Sequence, residues 1–387
     1  MLRCPSFRMP VLIALIAALS LGAGMAAPAV AEIKIGVLLP TSGKASQYGI
    51  TQEVGMRMAE AELEKLKIKG EAVKLVVYDT RGDNAEAINL TRKLIHTDKV
   101  LAILGPFFSA ECEVAFPIAV QGKTTIVTAS AAKPGIAAKS RPWAFRMALT
   151  SDKLNGPLVD KWQAANKGLI KKVVVLTDTK DAFTKADGTQ VFPAVLKEKG
   201  IEVVDNISFQ TGDIDFSAQV TKVKGLNPDG IVIAGLYNEG GNVVREIRKQ
   251  GLAQPIIGAL GMSEAKFIEI AGPAGEGVMV VNPFWADNPE PKVAAWVAEY
   301  KKSGKTPNNA ATLIYDSLHI TKQCIEKTGV TNKPDDLAKD RERIKDCWTG
   351  VKDYPGITGN TTINADGDAV LEPFVLVVKG GKFQLVR

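Results

Sequence analysis

Three short polar loops carry the residues of this chain best suited to holding a small anion. They are Pro40–Gly49 (PTSGKASQYG), Gly105–Glu111 (GPFFSAE) and Thr128–Ala132 (TASAA). Each follows an apolar run and precedes a helical pattern. Each therefore places a hydroxyl or backbone N–H groups at a helix start, where a carboxylate is best held. Taken singly, Ser109 and Ser130 read as plain helix caps. Three such loops on one rim shift the reading towards anion binding. Covalent or acid–base chemistry has little to work with. His96 and His319 are the only histidines, both among polar residues on helical segments. No CxxC, HExxH, GxSxG or Walker-type loop occurs, and the first strand is followed by Pro-Thr-Ser-Gly, without a GxGxxG. No enzyme, metal site or cofactor is expected.

The elements that must position these loops follow from hydrophobic patterning. Ile33–Leu39, Val73–Asp79, Val100–Leu104 and Thr125–Thr128 are short apolar, β-branched-rich runs separated by helical stretches. A second series runs through Val173–Thr177, Ile201–Ser208, Ile231–Ala234, Pro255–Ile257 and Val278–Val281. Such alternation predicts α/β architecture, two doubly wound Rossmann-like units with parallel sheets covered on both faces. Phe145-Arg146-Met147 followed by Thr150-Ser151-Asp152 reads as a crossover between them. Beyond Val281 the pattern predicts helices over Pro291–Ser303, Ala310–Thr328 and Pro334–Trp348, then an extended hairpin over Thr361–Leu385 with turns at Asn364–Asp368 and Lys379–Lys382. These pieces are too few for a third core, so they must be shared between the two units across a hinge.

Compartment is legible at the start of the chain. Arg3 and Arg8, the apolar run Val11–Leu21 and Ala29-Val30-Ala31 form a secretory signal peptide over 1–31, with cleavage expected near Ala31. The apolar run falls short of the roughly 18 residues a spanning helix needs. The formal charge of +6 includes those two arginines, and no block of like charge marks a nucleic-acid or membrane surface. A soluble protein outside the cytoplasm is expected, with no nucleic-acid partner. Of the cysteines beyond the leader, Cys324 and Cys347 lie on helical segments flanking a Gly-Val-Thr-Asn-Lys-Pro turn. An antiparallel pair would bring them into bridging distance; the alternative is two buried thiols. Cys112 reads as a small core residue.

The order and spacing of several weak motifs make the chain similar to a known family, the type I periplasmic solute-binding proteins of the branched-chain amino acid class, which feed ATP-driven importers. The motifs are IKIGVLLPTSGKASQYG (33–49), LGPFFS (104–109), VTASAA (127–132), Phe145-Arg146 with Asp152, DIDFSAQ (213–219) with Asn227-Pro228-Asp229, and VVREIRKQG (243–251). The resemblance implies two lobes joined by three hinge strands, residues 32–150 with 284–371 and residues 151–283 with 372–387. It implies a partner in an inner-membrane ABC permease. Ser109 and the backbone around Ala129, Ser130 and Ala131 would grip a ligand carboxylate. Tyr48 and Phe107 would line the pocket, Phe183 and Tyr237 would close over it from the second lobe, and Trp285 would wall it near a hinge crossing.

Two departures bear on the ligand. Amino acid binders of this family commonly carry a carboxylate on the loop after Pro255–Ile257, and here Leu260 stands at or near that place. Relatives often carry Thr where Ala131 stands. Burying an ammonium without a partner costs several kcal/mol, so an α-amino ligand is disfavoured unless Glu239 or Glu264 reaches in. Phe108 adds a further ring, although adjacent residues on an extended segment face opposite ways, so one of Phe107 and Phe108 is expected in the core. The aromatic and apolar inventory suits a small hydrophobic carboxylate, aromatic or 2-oxo. A hydrophobic or branched-chain amino acid, or service as a detached ligand sensor, is the alternative.

Overall fold

The protein is described here as a computed structural model covering residues 32–43, 45–64 and 72–386. The leader expected over 1–31 lies outside the described residues.

Residues 32–146 build a parallel sheet from β1 (Ile33–Leu39), β2 (Val73–Asp79), β3 (Ala102–Leu104), β4 (Thr125–Thr128) and β5 (Ala144–Arg146), in the order β2-β1-β3-β4-β5. All of its pairings are parallel. The central strands are buried almost throughout, as near-continuous Val/Ile/Leu runs covered on both faces must be. The second sheet contains β6 (Lys172–Asp178), β7 (Glu202–Phe209), β8 (Gly230–Ala234), β9 (Ile256–Gly258) and β10 (Met279–Asn282) as parallel strands. Here β8 lies between β6 and β9, so the chain doubles back as in other wound sheets.

The segment read as a crossover at Phe145 is itself a strand. Ala144–Arg146 pairs with Ile126–Thr128 as the fifth member of the first sheet, and the chain leaves that sheet only after it. Three residues were too short a run to register as a strand. The hairpin expected over Thr361–Leu385 is two separate structures. β11 (Tyr354–Gly356), β12 (Gly359–Ile363) and β13 (Ala369–Val370) form a small antiparallel sheet of their own. Then β14 (Phe374–Lys379) and β15 (Lys382–Leu385) add an antiparallel edge to the second sheet beside β10. Both expected turns are present. Asn364 Oδ1 accepts from the N–H groups of Asp366 and Asp368 at 3.0 and 2.9 Å. Gly380 and Gly381, at φ 59° and 74°, close the final hairpin in the left-handed conformation that such two-residue turns require.

Three helices from the C-terminal part return to the first sheet. Asn309–Thr328 packs along Ser46–Glu64 and over β3, and Leu337–Thr349 lies on β4. The approach at Gly55 is so close that a Cβ there would stand 2.2 Å from the Ala311 carbonyl oxygen. Pro291–Lys301 is tied to the same face by Tyr300, whose hydroxyl donates to the Thr51 carbonyl at 2.7 Å. Among the described residues the backbone thus passes between the two sheets after β5, after β10 and again before β14.

Arg146 fastens one of these passages. It is fully buried, and its guanidinium meets Asp368 through Nε at 2.9 Å and Nη2 at 2.7 Å. Nη1 donates to the carbonyls of Lys133 at 2.5 Å and Ala131 at 3.3 Å. One cation therefore holds the end of β5, the turn at Asn364–Asp368 and the polar loop after β4 together. Its several partners offset the cost of burying it.

Cys324 and Cys347 are joined by a disulfide, with Cα atoms 5.6 Å apart and 23 residues between them in sequence. Cys112 is a buried free thiol whose pKa burial pushes well up, which leaves it a core residue without nucleophilic character. A bridge closing a loop of that length is worth roughly 3 kcal/mol in chain entropy. Paired Cys324→Ser and Cys347→Ser substitutions are expected to lower unfolding stability by about that amount in urea denaturation, with ligand affinity retained.

Candidate ligand-binding site

The C-terminal ends of the two parallel sheets face each other across a cleft, and the three polar loops meet there. Between the lobes lies a small cavity lined from both sides. The first lobe contributes Tyr48 from the start of helix Ser46–Glu64, Phe107 and Phe108 from the loop after β3, Ser109 from the first turn of helix Ser109–Gln121, and Ser130 to Ala132 from the loop after β4. Asp181 and Phe183, beyond β6, face them from the second lobe, with Leu236 beyond β8 and Leu260, Gly261 and Glu264 beyond β9. Asn309 and Ala310, opening helix Asn309–Thr328, complete the wall.

Tyr48 joins the two lobes directly. Its hydroxyl donates to the Gly261 carbonyl at 2.6 Å and accepts, at 3.4 Å, from the Tyr237 N–H. The ring sits within the apolar cluster of the second lobe, stacked on Phe107 at 4.9 Å and edge-on to Tyr237 at 4.9 Å. Burial pushes the Tyr48 phenol well above its usual pKa, so it serves as a neutral donor.

Two hydroxyls of the first lobe remain able to donate into the cavity. Ser109 Oγ accepts from the Lys133 N–H at 3.3 Å, and Ser130 Oγ accepts from Gln52 Nε2 at 3.3 Å. A serine whose oxygen accepts one bond keeps its proton for another partner. Ser109 also heads its helix, where the first N–H groups have no intrahelical acceptor. The cavity wall includes no lysine, arginine or histidine among the described residues. Any carboxylate held here is held by neutral donors and the helix end.

Both phenylalanines face the cleft, contrary to the alternation expected of adjacent residues. Phe108 sits at the N-cap of helix Ser109–Gln121, where the extended segment ends, and it packs edge-on against Phe107 and over Gly82. Ala129 is buried in the core instead of lining the cavity. The N–H groups of Ser130 and Ala131 turn back to Thr128 Oγ1 at 3.3 and 3.2 Å. Tyr237 stands behind Tyr48, outside the wall. Trp285 lies against Phe374 at the hinge, lining outer hollows because the loop after β10 turns away from the cleft.

The acids sort themselves clearly. Glu239 is buried but accepts from the Gly212 N–H at 2.8 Å, away from the cavity. Glu264 does line the cavity, because the tight turn Leu260–Met262 swings the chain round after Leu260. It is 5% exposed, and Oε1 accepts from Asn308 Nδ2. Burial pushes its pKa up to about 7, with the Asn308 bond opposing. Asp181 is a second acid on the wall. Its Oδ1 caps the helix that carries Phe183, accepting from the Phe183 and Thr184 N–H groups at 2.9 and 3.2 Å. Burial raises its pKa to about 6.

Asp181, Leu236, Asn309 and Ala310 were not singled out from sequence. The first two had a usable signal, since both sit just beyond strands of the second sheet. Asn309 and Ala310 had none, because they reach the site from a helix some 180 residues beyond Ser130 in the chain.

The chain matches the family model described as periplasmic binding protein over residues 32–382. It is 28% identical over 338 residues to the leucine-, isoleucine-, valine-, threonine- and alanine-binding protein of Pseudomonas aeruginosa, covering 87% of each chain. Among solved structures, a leucine-binding protein of Thermotoga maritima superposes with a TM-score of 0.82 at 30% identity, covering 91% of this chain and 97% of that one. The branched-chain amino acid substrate-binding protein LivJ of Streptococcus pneumoniae, in complex with isoleucine, gives 0.81 at 27% identity, with 91% and 98% covered. These relatives are solute-binding proteins and not enzymes. No helix among the described residues is long and apolar enough to cross a membrane. The chain belongs to the periplasmic binding protein family, as a substrate-binding component of the branched-chain amino acid type of ABC importer.

Proposed function

We propose that this protein captures a small hydrophobic carboxylate between its lobes in the periplasm and, as a monomer, delivers it to an inner-membrane permease. The observation that carries the reading is the composition of the cavity wall. Ser109 and Ser130 offer hydroxyl donors beside a helix N-terminus, while Phe107, Phe183, Leu260 and Ala131 form an apolar waist. In this reading the carboxylate lies against the first lobe and Phe183 closes over the apolar body from the second. Ligand contacts on both lobes favour the closed arrangement, and only that arrangement docks productively on the permease.

A second reading, an apolar α-amino acid, is favoured by Glu264. Leu260 removes the acid expected for an ammonium, yet Glu264 presents another to the same cavity. The Pseudomonas relative is named for binding leucine, isoleucine, valine, threonine and alanine, and the Thermotoga one for binding leucine.

A thermal-shift screen separates the two readings, because a ligand that binds only the folded state raises the melting temperature. Benzoate, phenylacetate, hydroxybenzoates and aryl-2-oxo acids are expected to stabilise the protein more than leucine, valine or phenylalanine. Stabilisation by the amino acids alone would reverse the assignment. For the strongest acid of that panel, Ser109→Ala is expected to weaken binding by about 1–3 kcal/mol in titration calorimetry. An unchanged dissociation constant would remove Ser109 from the site.

A further inference from the structure

Ser130 is pinned everywhere except at its hydroxyl. Its N–H donates to Thr128 Oγ1 at 3.3 Å, and Thr128 Oγ1 in turn donates to the Pro106 carbonyl at 2.8 Å. The carbonyl of the next residue, Ala131, is held by Arg146. The loop backbone is therefore fixed, and rotation about the Cβ–Oγ bond is left to decide where the serine proton points. A hydroxyl facing a carboxylate helps when it donates and opposes binding when it presents lone pairs. Among the described residues, the side chain bonded to this hydroxyl is that of Gln52, whose Nε2 lies 3.3 Å from Oγ.

Gln52 is an unusual residue for its place. It is 1% exposed, it stands outside the cavity wall, and its Oε1 is buried with no hydrogen-bond partner among the described residues. An apolar side chain of similar length would fill the same space and leave no polar atom unanswered. What the amide alone supplies is a donor aimed at Ser130. Its carrier is held still. Gln52 lies on helix Ser46–Glu64 one turn after Tyr48, the Tyr300 hydroxyl donates to the carbonyl of the preceding Thr51 at 2.7 Å, and Gly55 is pressed against the Ala311 carbonyl. A half-turn of the amide would bring Oε1 against Ser130, draw the serine proton away from the cavity and leave lone pairs facing the ligand.

We infer that Gln52 is a positioning residue of this site: by donating to Ser130 Oγ it commits the serine proton to the cavity and so fixes that wall as a donor to an anionic ligand. The inference rests on the carboxylate reading of the function and adds to it a residue that does not touch the ligand. Ser109 has a main-chain counterpart, since the Lys133 N–H occupies its oxygen at 3.3 Å. Each of the two hydroxyls thus has a donor behind it, and for Ser130 that donor is a side chain that substitution can remove.

A double-mutant cycle followed by titration calorimetry on the mature protein tests this. The probes are whichever of benzoate, phenylacetate, 4-hydroxybenzoate and phenylpyruvate binds most tightly, and the primary amide of that acid. The wild-type protein is expected to bind the acid at least about tenfold more tightly than the amide. Gln52→Met is expected to weaken the acid about 5- to 10-fold and the amide by less, so that the preference narrows. Ser130→Ala is expected to weaken the acid about tenfold, and the double variant to match Ser130→Ala within about twofold, because the Gln52 amide acts only through that hydroxyl. A residue that merely packs the helix would lower acid and amide alike, and its loss would multiply with that of Ser130→Ala; that result would overturn the inference. So would an unchanged affinity for the acid in Gln52→Met. Equal binding of acid and amide by the wild-type protein would overturn it too, and needs no folded variant. Failure of every acid to bind would instead overturn the carboxylate reading itself.

Discussion

The hydrogen bond from the Tyr48 hydroxyl to the Gly261 carbonyl is the contact through which the two lobes become one site. It spans 2.6 Å and is accompanied by the insertion of the Tyr48 ring into the apolar cluster of the second lobe. Two further hydrogen bonds cross the cleft beside it, from Asn308 to Glu264 and from Asn282 to Asn309. Ser109 and Ser130 belong to one lobe, Phe183, Leu260 and Glu264 to the other, and none of these pairs encloses anything unless the lobes meet. A single such bond contributes about 0.5–1.5 kcal/mol, and each aromatic contact a similar amount. That scale suits a closure that a ligand can tip. A bond several times stronger would hold the cleft shut whatever it contained.

The first lobe owes its precision to a buried cation that never reaches the ligand. Arg146 ties the loop carrying Ser130 and Ala131 to the end of β5 and to Asp368, at a point where the chain passes between lobes. Loop geometry and hinge geometry are therefore coupled through one side chain. Across the cleft, Asn282 and Ser263 of the second lobe and Asn308, the cap of the first-lobe helix that starts at Asn309, do the corresponding work of placing Glu264.

Much of this was legible in the sequence for a physical reason. Long β-branched runs buried on both faces, such as Ile33–Leu39 and Val73–Asp79, have no alternative fate in a wound sheet, and the loops after them must line its rim. What escaped reading was decided by short or distant geometry. Ala144–Arg146 is a strand of three residues, recognisable only once β4 is beside it. Phe107 and Phe108 break the alternation rule because a helix begins at Ser109. Tyr237 and Trp285 carry suitable side chains, but one is screened by Tyr48 and the other sits on a loop that leaves the cleft. Of the two acids the sequence offered, Glu264 reaches the cavity through a single tight turn after Leu260 while Glu239 is turned to the Gly212 N–H.

Closure around a carboxylate is the centre of this picture, and the distance between the lobes is its most direct readout. Arg92 and Arg245 are exposed, one on each lobe. Spin labels at Arg92→Cys and Arg245→Cys, measured by pulsed electron resonance, report the lobe separation without involving any cavity residue. Adding a bound acid at saturation is expected to shift the distribution to shorter distances and narrow it. A distribution that stays unchanged while the acid is demonstrably bound would contradict the hinge mechanism.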